Sequence, residues 1–266
     1  MTQETATRQP NVAAQPVRSA RGLGALLVTN LKLYFRDPIA AFFTIAFPVM
    51  LVLLFGAIFG NEPDELFAGY GPMDISMPAY TALILGTVGF VGVAITTSSY
   101  REAGILRRFR ATPLRPITYI AADVIANMIM TLAGMAAVVV IGWVMFRVRF
   151  EGQALSVLAA VILSGAAMFS VGYVIAALAR TARAAQVIGM ALLYPMLFLS
   201  GAGMPLEVMP ESIQTISNFL PLTYVVRLLR GLWFGDPWSS LLVETGVIIG
   251  IAAACTAIAV RFFRWE

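Results

Sequence analysis

Residues 117–146 read ITYIAADVIANMIMTLAGMAAVVVIGWVMF, a run in which Asp123 is the single charged side chain. As a helix rising 1.5 Å per residue it outreaches the hydrocarbon core of a bilayer, which about 20 residues suffice to cross. Its apolar residues fall all round the helix, leaving no side suited to water. Working outward, five further stretches have the same character. The six together are Ile39–Gly60, Ala79–Ser99, Ile117–Phe146, Ala154–Ala179, Ala185–Met204 and Ser239–Phe262. Across the 266 residues, 59% are hydrophobic and only 12% are charged, about half of the roughly 25% usual in soluble domains. The expected fold class is an all-α integral membrane protein with six transmembrane helices, forming one domain over residues 21–266.

The flanking segments set an orientation. Residues 1–20 are polar and lack the contiguous apolar stretch of a signal peptide, so they are expected as a disordered cytoplasmic tail. In Arg21–Asp37, Leu23, Leu26, Leu27, Asn30, Leu31, Tyr34 and Phe35 fall near helical spacing, with Lys32 and Arg36 toward the polar side. That pattern suggests an amphipathic helix in the headgroup layer, which Asp37-Pro38 ends before the first span. Of the 18 basic residues, Arg147, Arg149, Arg227 and Arg230 alone lie on the connections of one side. The same connections hold Glu62, Asp64, Glu65, Asp74, Glu151, Glu207, Glu211 and Asp236. By the positive-inside rule that side is outer, and both termini of this multi-pass cell-membrane chain are cytoplasmic. The net charge of +4 therefore reads as topology-setting charge facing membrane lipids, not as a nucleic-acid surface.

Absences exclude several chemistries. The chain has no His, which removes Ser-His-Asp and Cys-His pairs and every His-based metal site. Cys255 is the lone cysteine, so neither an internal disulfide nor a cysteine metal cage can form. Lys32, the only lysine, follows Leu31, whereas a Walker A phosphate loop needs a Gly-Lys pair. No catalytic residue and no metal site is expected, and ATP-driven work would require a second polypeptide.

Two connecting segments stand apart. Tyr100–Pro116 reads YREAGILRRFRATPLRP; Ile105, Leu106 and Phe109 share one helical face, while Arg107, Arg108 and Arg110 sit largely off it. Pro113 and Pro116 stop this short helix. It suits either a stop-transfer anchor whose arginines meet anionic lipid or a peg that docks in a partner protein, and Gly104 with Phe109 favours docking slightly. The second segment, from Leu199, reads LSGAGMPLEVMPESIQTISNFLPLTYVVRLLRGLWFG. Pro210 begins one helical run to Phe219 and Pro221 another to Trp233. This is either a re-entrant hairpin dipping in from the outer face or an amphipathic pair lying on the outer leaflet, with Trp233 and Trp238 as anchors.

At these residues the chain resembles the membrane subunit of an ATP-binding-cassette exporter of the second type, the drug, polysaccharide and lipid exporter superfamily. The likeness runs from about Gly24 to Arg264. It is carried most specifically by Phe198, Ser200-Gly201, Pro205, Pro210, Pro221, Thr223 and Arg227. NLKLYFRDP before the first span is similar to the family's connecting helix, and REAGILRRFRATPLRP to its coupling helix. The resemblance implies dimerisation with a second permease copy, identical or not, and two ABC ATPase partners that carry ATP and magnesium, this chain binding no cofactor. It also implies that Arg101 to Thr112 is the cytoplasmic coupling helix, with Arg101, Glu102, Gly104, Ile105, Leu106, Arg107, Arg108 and Phe109 at the ATPase. Met204–Trp233 would be the re-entrant outer gate. The outer loop Asn61–Pro78 is shorter than in some members, and no large extracellular domain is present.

Two carboxyl groups lie within spans: Asp123, two turns into the third, and Glu244, in the first turns of the sixth. Such groups are expensive in hydrocarbon and often functional, yet both are near an interface, and Glu244 sits by a helix N-terminus that favours it. Gly86, Gly89 and Gly92 permit close helix packing, and Pro48 and Pro195 mark possible bends. The expected activity is export of a hydrophobic or amphipathic cargo, suited to a cavity of Phe, Leu and Met. The alternative is an ATP-independent carrier or channel, disfavoured because Asp123 and Glu244 are off-centre and no span carries a polar stripe. An intramembrane Ser-Lys hydrolase would need Lys32, which lies outside the spans.

Overall fold

The computed structural model describes residues 19–105, 116–203 and 206–262. The tail up to residue 18, the segment 106–115, Met204-Pro205 and the last four residues lie outside the described part. Helix α1 (Ser19–Arg36) is followed by six helices long and apolar enough to cross a membrane. These are α2 (Phe42–Phe59), α3 (Pro72–Glu102), α4 (Pro116–Phe146), α5 (Ala154–Leu178), α6 (Ala182–Leu199) and α9 (Leu242–Phe262). Two short helices, α7 (Glu211–Ser217) and α8 (Pro221–Trp233), stand between the last two spans. Among the described residues there is no strand.

Local chemistry explains the helix ends. Asp37 stops α1 and starts the next helix, because its Oδ1 accepts the Ala40 N–H at 3.1 Å and Pro38 needs no N–H partner. In α1, Leu23, Leu26, Leu27, Asn30, Leu31 and Tyr34 form the half-buried face as their spacing predicts, whereas Phe35 points out, 69% exposed. α1 packs along the third span. The second span starts at Pro72, not Ala79, with Pro78 inside the helix. Pro72 sits in the first turn and Asp74 Oδ2 accepts the Gly71 N–H at 3.0 Å, so the helix nucleates ahead of the apolar run. The fifth span runs from Ala182 to Leu199, not Ala185 to Met204. Thr181 caps its start by accepting the Ala184 N–H at 3.0 Å, and Gly201, at φ +86°, turns the chain away beyond its end. The sixth begins at Leu242, after a 3₁₀ turn over Trp238–Ser240.

The second span is the centre of the bundle. It is 72% buried, against 11% for the sixth, and it touches the first, third, fourth and fifth spans. The fourth span packs between it and the sixth. Where the second crosses the fourth, a Cβ on Gly172 would lie 2.1 Å from the Gly89 carbonyl oxygen, so the two backbones meet directly. Of the three second-span glycines, Gly89 alone serves this backbone approach. Gly86 faces the side chains of Leu193 and Leu222, and Gly92 borders open space. Both Gly89 and Gly92 lie in a π-helical stretch, Thr87–Val93. A second such stretch, Phe42–Ala46, precedes Pro48 in the first span and marks where that helix departs from regular winding.

Candidate functional site

Polar groups gather at the two ends of the bundle. At one end, Arg101 and Glu102 form the last turn of the second span instead of opening a separate helix, and Gly104, at φ +67°, turns the chain beyond it. The Arg101 guanidinium donates to the Ala176 carbonyl at 2.9 Å and to the Ala179 carbonyl. It thereby satisfies the C-terminal carbonyls of the fourth span, where a cation also complements the helix dipole. Glu102 Oε1 accepts the Ala182 N–H at 3.1 Å, at the start of the fifth span. Two consecutive side chains thus clasp the turn between spans four and five. Ile105 is half-buried; Leu106, Arg107, Arg108 and Phe109 lie outside the described residues.

Deeper from that end, Asp123 is buried in the third span and accepts a 2.7 Å hydrogen bond from the Tyr173 hydroxyl of the fourth. Asn127, one turn on, donates to the Asp123 carbonyl at 3.0 Å. Apart from this cluster, a cavity of about 350 Å³ opens between α1 and the first, second and fifth spans. Phe43, Phe47, Val91, Met190 and Leu197 line it, and Tyr34 and Thr44 share a hydroxyl hydrogen bond at its edge. Burial pushes the Tyr34 phenol up, against the opposing effect of that bond.

The opposite end is organised by a residue that sequence reasoning counted only as loop charge. Asp74 is buried, and its Oδ1 accepts from Asn61 Nδ2 at 2.9 Å and from the Arg149 N–H at 2.8 Å. Asn61 also donates to the Phe146 carbonyl at 3.2 Å and accepts the Asp74 N–H at 3.1 Å. Trp233 Nε1 donates to the Arg149 carbonyl at 2.9 Å, and the Trp233 carbonyl receives the Gly152 N–H at 2.8 Å. One carboxylate therefore joins the end of the first span, the start of the second and the end of the third, with α8 one bond further. The Gly71-Pro72-x-Asp74 start signal was the local clue to it. Nearby, the Tyr70 hydroxyl donates to Glu151 at 3.0 Å, and this bond holds its phenol above the ordinary range.

The remaining expected residues that the structure describes sit at this end too. Ser200 is buried, and Gly201 and Arg227 border one cavity. Phe198 is largely exposed and Pro205 lies outside the described residues. Pro210 precedes α7 and Pro221 opens α8. Thr223 is fully buried, and its Oγ1 has no hydrogen-bond partner among the described residues. Arg227 donates to Asn218 Oδ1 at 2.7 Å, binding α8 back to the turn before it. α8 buries Leu222, Val225, Val226, Leu229 and Trp233 in one stripe against the second, fourth and sixth spans. Glu244 is half-buried in the first turn of the sixth span, away from Asp123 at the other end. Among the described residues no group of three potential metal ligands occurs.

The sequence matches the family described as "ABC-2 type transporter" over residues 21–234. Among characterised proteins it is similar to the daunorubicin resistance ABC transporter permease protein DrrB1 of Streptomyces coeruleorubidus. The two are 27% identical over 225 residues, which covers 82% of this chain and 76% of that one. The inner membrane transport permease YhhJ of Escherichia coli is 26% identical over 191 residues, covering 68% of this chain and 50% of that one. Nodulation protein J of Rhizobium leguminosarum bv. viciae is 35% identical over 86 residues, covering 32% and 33%.

Proposed function

The chain belongs to the ABC-2 type transporter family, and on that premise we propose that it is the path for export of an apolar or amphipathic cargo, a drug, lipid or glycolipid, from the cytoplasm or inner leaflet, powered by a separate ATPase subunit. As an ABC transporter permease it is an integral membrane transport subunit and not itself an enzyme, and its family implies an ABC ATPase partner. In the proposed assembly two ATPase copies hold ATP and magnesium and serve two permease copies. Both termini and the Arg101 end face the cytoplasm, in keeping with the arginine asymmetry.

The observation that carries this reading is the clasp of Arg101 and Glu102 on the turn between spans four and five. The coupling segment follows directly after them. A displacement applied to Ile105, Leu106 and Phe109 by a closing ATPase would pass through the second span and this clasp into the fourth and fifth spans as one unit. The cavity between spans one, two and five suits such a cargo, since its lining is mostly aromatic and aliphatic. The drug-resistance name of DrrB1 supports the same cargo class. The α7–α8 pair, carrying Ser200, Gly201, Pro205, Pro210, Pro221, Thr223 and Arg227 on or beside it, would serve as a re-entrant outer gate.

The test measures cargo exported per ATP hydrolysed in proteoliposomes holding both subunits. Phe109→Asp and Glu102→Lys should each leave ATP hydrolysis running while export falls at least tenfold. Export at the wild-type ratio in both variants would remove the coupling role.

A further inference from the structure

Among the described residues, π-helical winding occurs in two places, Phe42–Ala46 in the first span and Thr87–Val93 in the second. Such stretches are rare and gather at functional sites. Both border the cavity of about 350 Å³: Phe43 and Thr44 line it from the first stretch, and Thr87, Val88, Val91 and Gly92 from the second. Two separate departures from regular winding thus meet at one cavity.

The second stretch also divides its span mechanically. Ahead of it, Pro72–Gly86 is fixed through Asp74 to Asn61, Gly71 and Arg149. Beyond it, Ala94–Glu102 ends in the clasp of Arg101 and Glu102 on the turn between the fourth and fifth spans. A regular α-helix over the whole length would carry an axial push at Glu102 straight into the Asp74 network. A π turn bonds i to i+5 and so holds one residue more than an α turn. Giving that residue up to regular winding shifts one half of the span against the other by about 1.5 Å, a helix shift of the size that switching proteins use.

The neighbouring spans leave room for the change. A Cβ on Gly189 of the fifth span would lie 2.2 Å from the Phe90 carbonyl oxygen, and one on Gly172 of the fourth 2.1 Å from that of Gly89. Gly134 of the third span meets the first-span stretch in the same way, 2.5 Å from the Thr44 carbonyl oxygen. Glycine presents backbone alone, so at these contacts no side chain has to climb over another as a stretch rewinds. Gly92 borders open space.

We propose that Thr87–Val93 is a register joint. It passes between i→i+5 and i→i+4 bonding as the Arg101 half of the second span is displaced, while the Asp74 half stays in place. Each passage redraws the cavity wall formed by Thr87, Val88, Val91 and Gly92. The proposal deepens the coupling reading and rests on it.

Hydrogen exchange of the full chain, assembled with its ABC ATPase in nanodiscs, reads the joint. Without nucleotide, the amides of Thr87–Val93 should exchange at least tenfold faster than those of Met77–Leu85 in the same span. Closing the ATPase with ATP and vanadate should change the first rate at least threefold and leave the second as it was. Uniform exchange over both segments, or no change with ATP and vanadate, overturns the joint, whatever Phe109→Asp does to export. A change that persists in Phe109→Asp keeps the joint and sinks the coupling role of Phe109 instead. Deleting Val91 removes the extra residue and should abolish the fast exchange, with export per ATP falling at least tenfold while hydrolysis continues. Export by the deletion variant at the wild-type ratio also overturns the joint. Since the deletion can cost the fold, the exchange pattern of the wild type decides the matter without it.

Discussion

The hydroxyl of Tyr173 and the carboxylate of Asp123 meet at 2.7 Å in the interior of the bundle, tying the fourth span to the third. Hydrogen bonds between membrane helices are worth about 0.6 kcal/mol on average, because the separated helices find other partners. Removing only the donor is a different matter, since it leaves a buried carboxyl group short of a partner, at roughly 1–3 kcal/mol. Tyr173→Phe should therefore destabilise the chain by about 1–3 kcal/mol, whereas Asp123→Asn, which keeps an acceptor, should cost less. Thermal or denaturant unfolding in detergent checks the order; a negligible loss at Tyr173→Phe would show that the bond contributes little.

Asp74 should matter more to folding than Asp123. Its carboxylate receives three N–H groups, from Asn61, Gly71 and Arg149. Hydrogen bonds to a charged group each contribute about 1.5–3 kcal/mol, so Asp74→Ala should cost at least about 2 kcal/mol and lower the yield of monodisperse protein. Asp74→Asn should recover only part, because an amide has one acceptor oxygen. Asn61→Ala, which removes the partner of both Asp74 and Phe146, should resemble Asp74→Ala. Size-exclusion profiles and unfolding midpoints of the three variants test this.

The close approach of Gly89 and Gly172 predicts a sharp contrast between neighbouring positions. Gly172→Ala puts a methyl against the Gly89 carbonyl and must spread two spans, at about 1–3 kcal/mol. Gly92→Ala meets no neighbour closer than 4.0 Å and should stay within about 0.5 kcal/mol of wild type. Unfolding measurements on the pair decide it, and similar losses at both positions would contradict the packing.

Tyr70 gives the Asp74 end an alkaline sensitivity. Its bond to Glu151 raises the phenol above its unfolded value, so its contribution is complete below the unfolded pKa and disappears as pH rises through the folded one. The Tyr70–Glu151 link should therefore hold at neutral pH and open only in strong alkali. A difference absorbance titration against Tyr70→Phe should show one phenol ionising later than free tyrosine, with Glu151→Gln moving it back.

The architecture was legible where it depends on runs and punctuation. Six apolar stretches, the Asp37-Pro38 break and the Pro221-to-Trp233 helix follow from length, capping and proline chemistry, and the helices stand there. Boundaries went wrong where a polar residue is satisfied locally. Asp74 and Ser76 make the start of the second span look like loop, yet Asp74 closes on Gly71 and Ser76 on Pro72. The contacts that build the site were not legible, because they join distant segments. Arg101 meets Ala176, Asn61 meets Phe146 and Gly89 meets Gly172, and no helical period records which ends of which spans come together. Phe35 shows the same limit, since it belongs near the apolar face of α1 by spacing but points away from the bundle.

The central claim is that this chain supplies a path and no energy, which arrives from a separate ATPase through the segment after Arg101. The most direct measurement is uptake of a fluorescent amphipathic drug into inside-out proteoliposomes, containing the purified chain alone or together with its ABC ATPase, with and without ATP. Accumulation only when chain, ATPase and ATP are all present is the predicted result. Accumulation by the chain alone, or driven by a proton gradient without ATP, would contradict it.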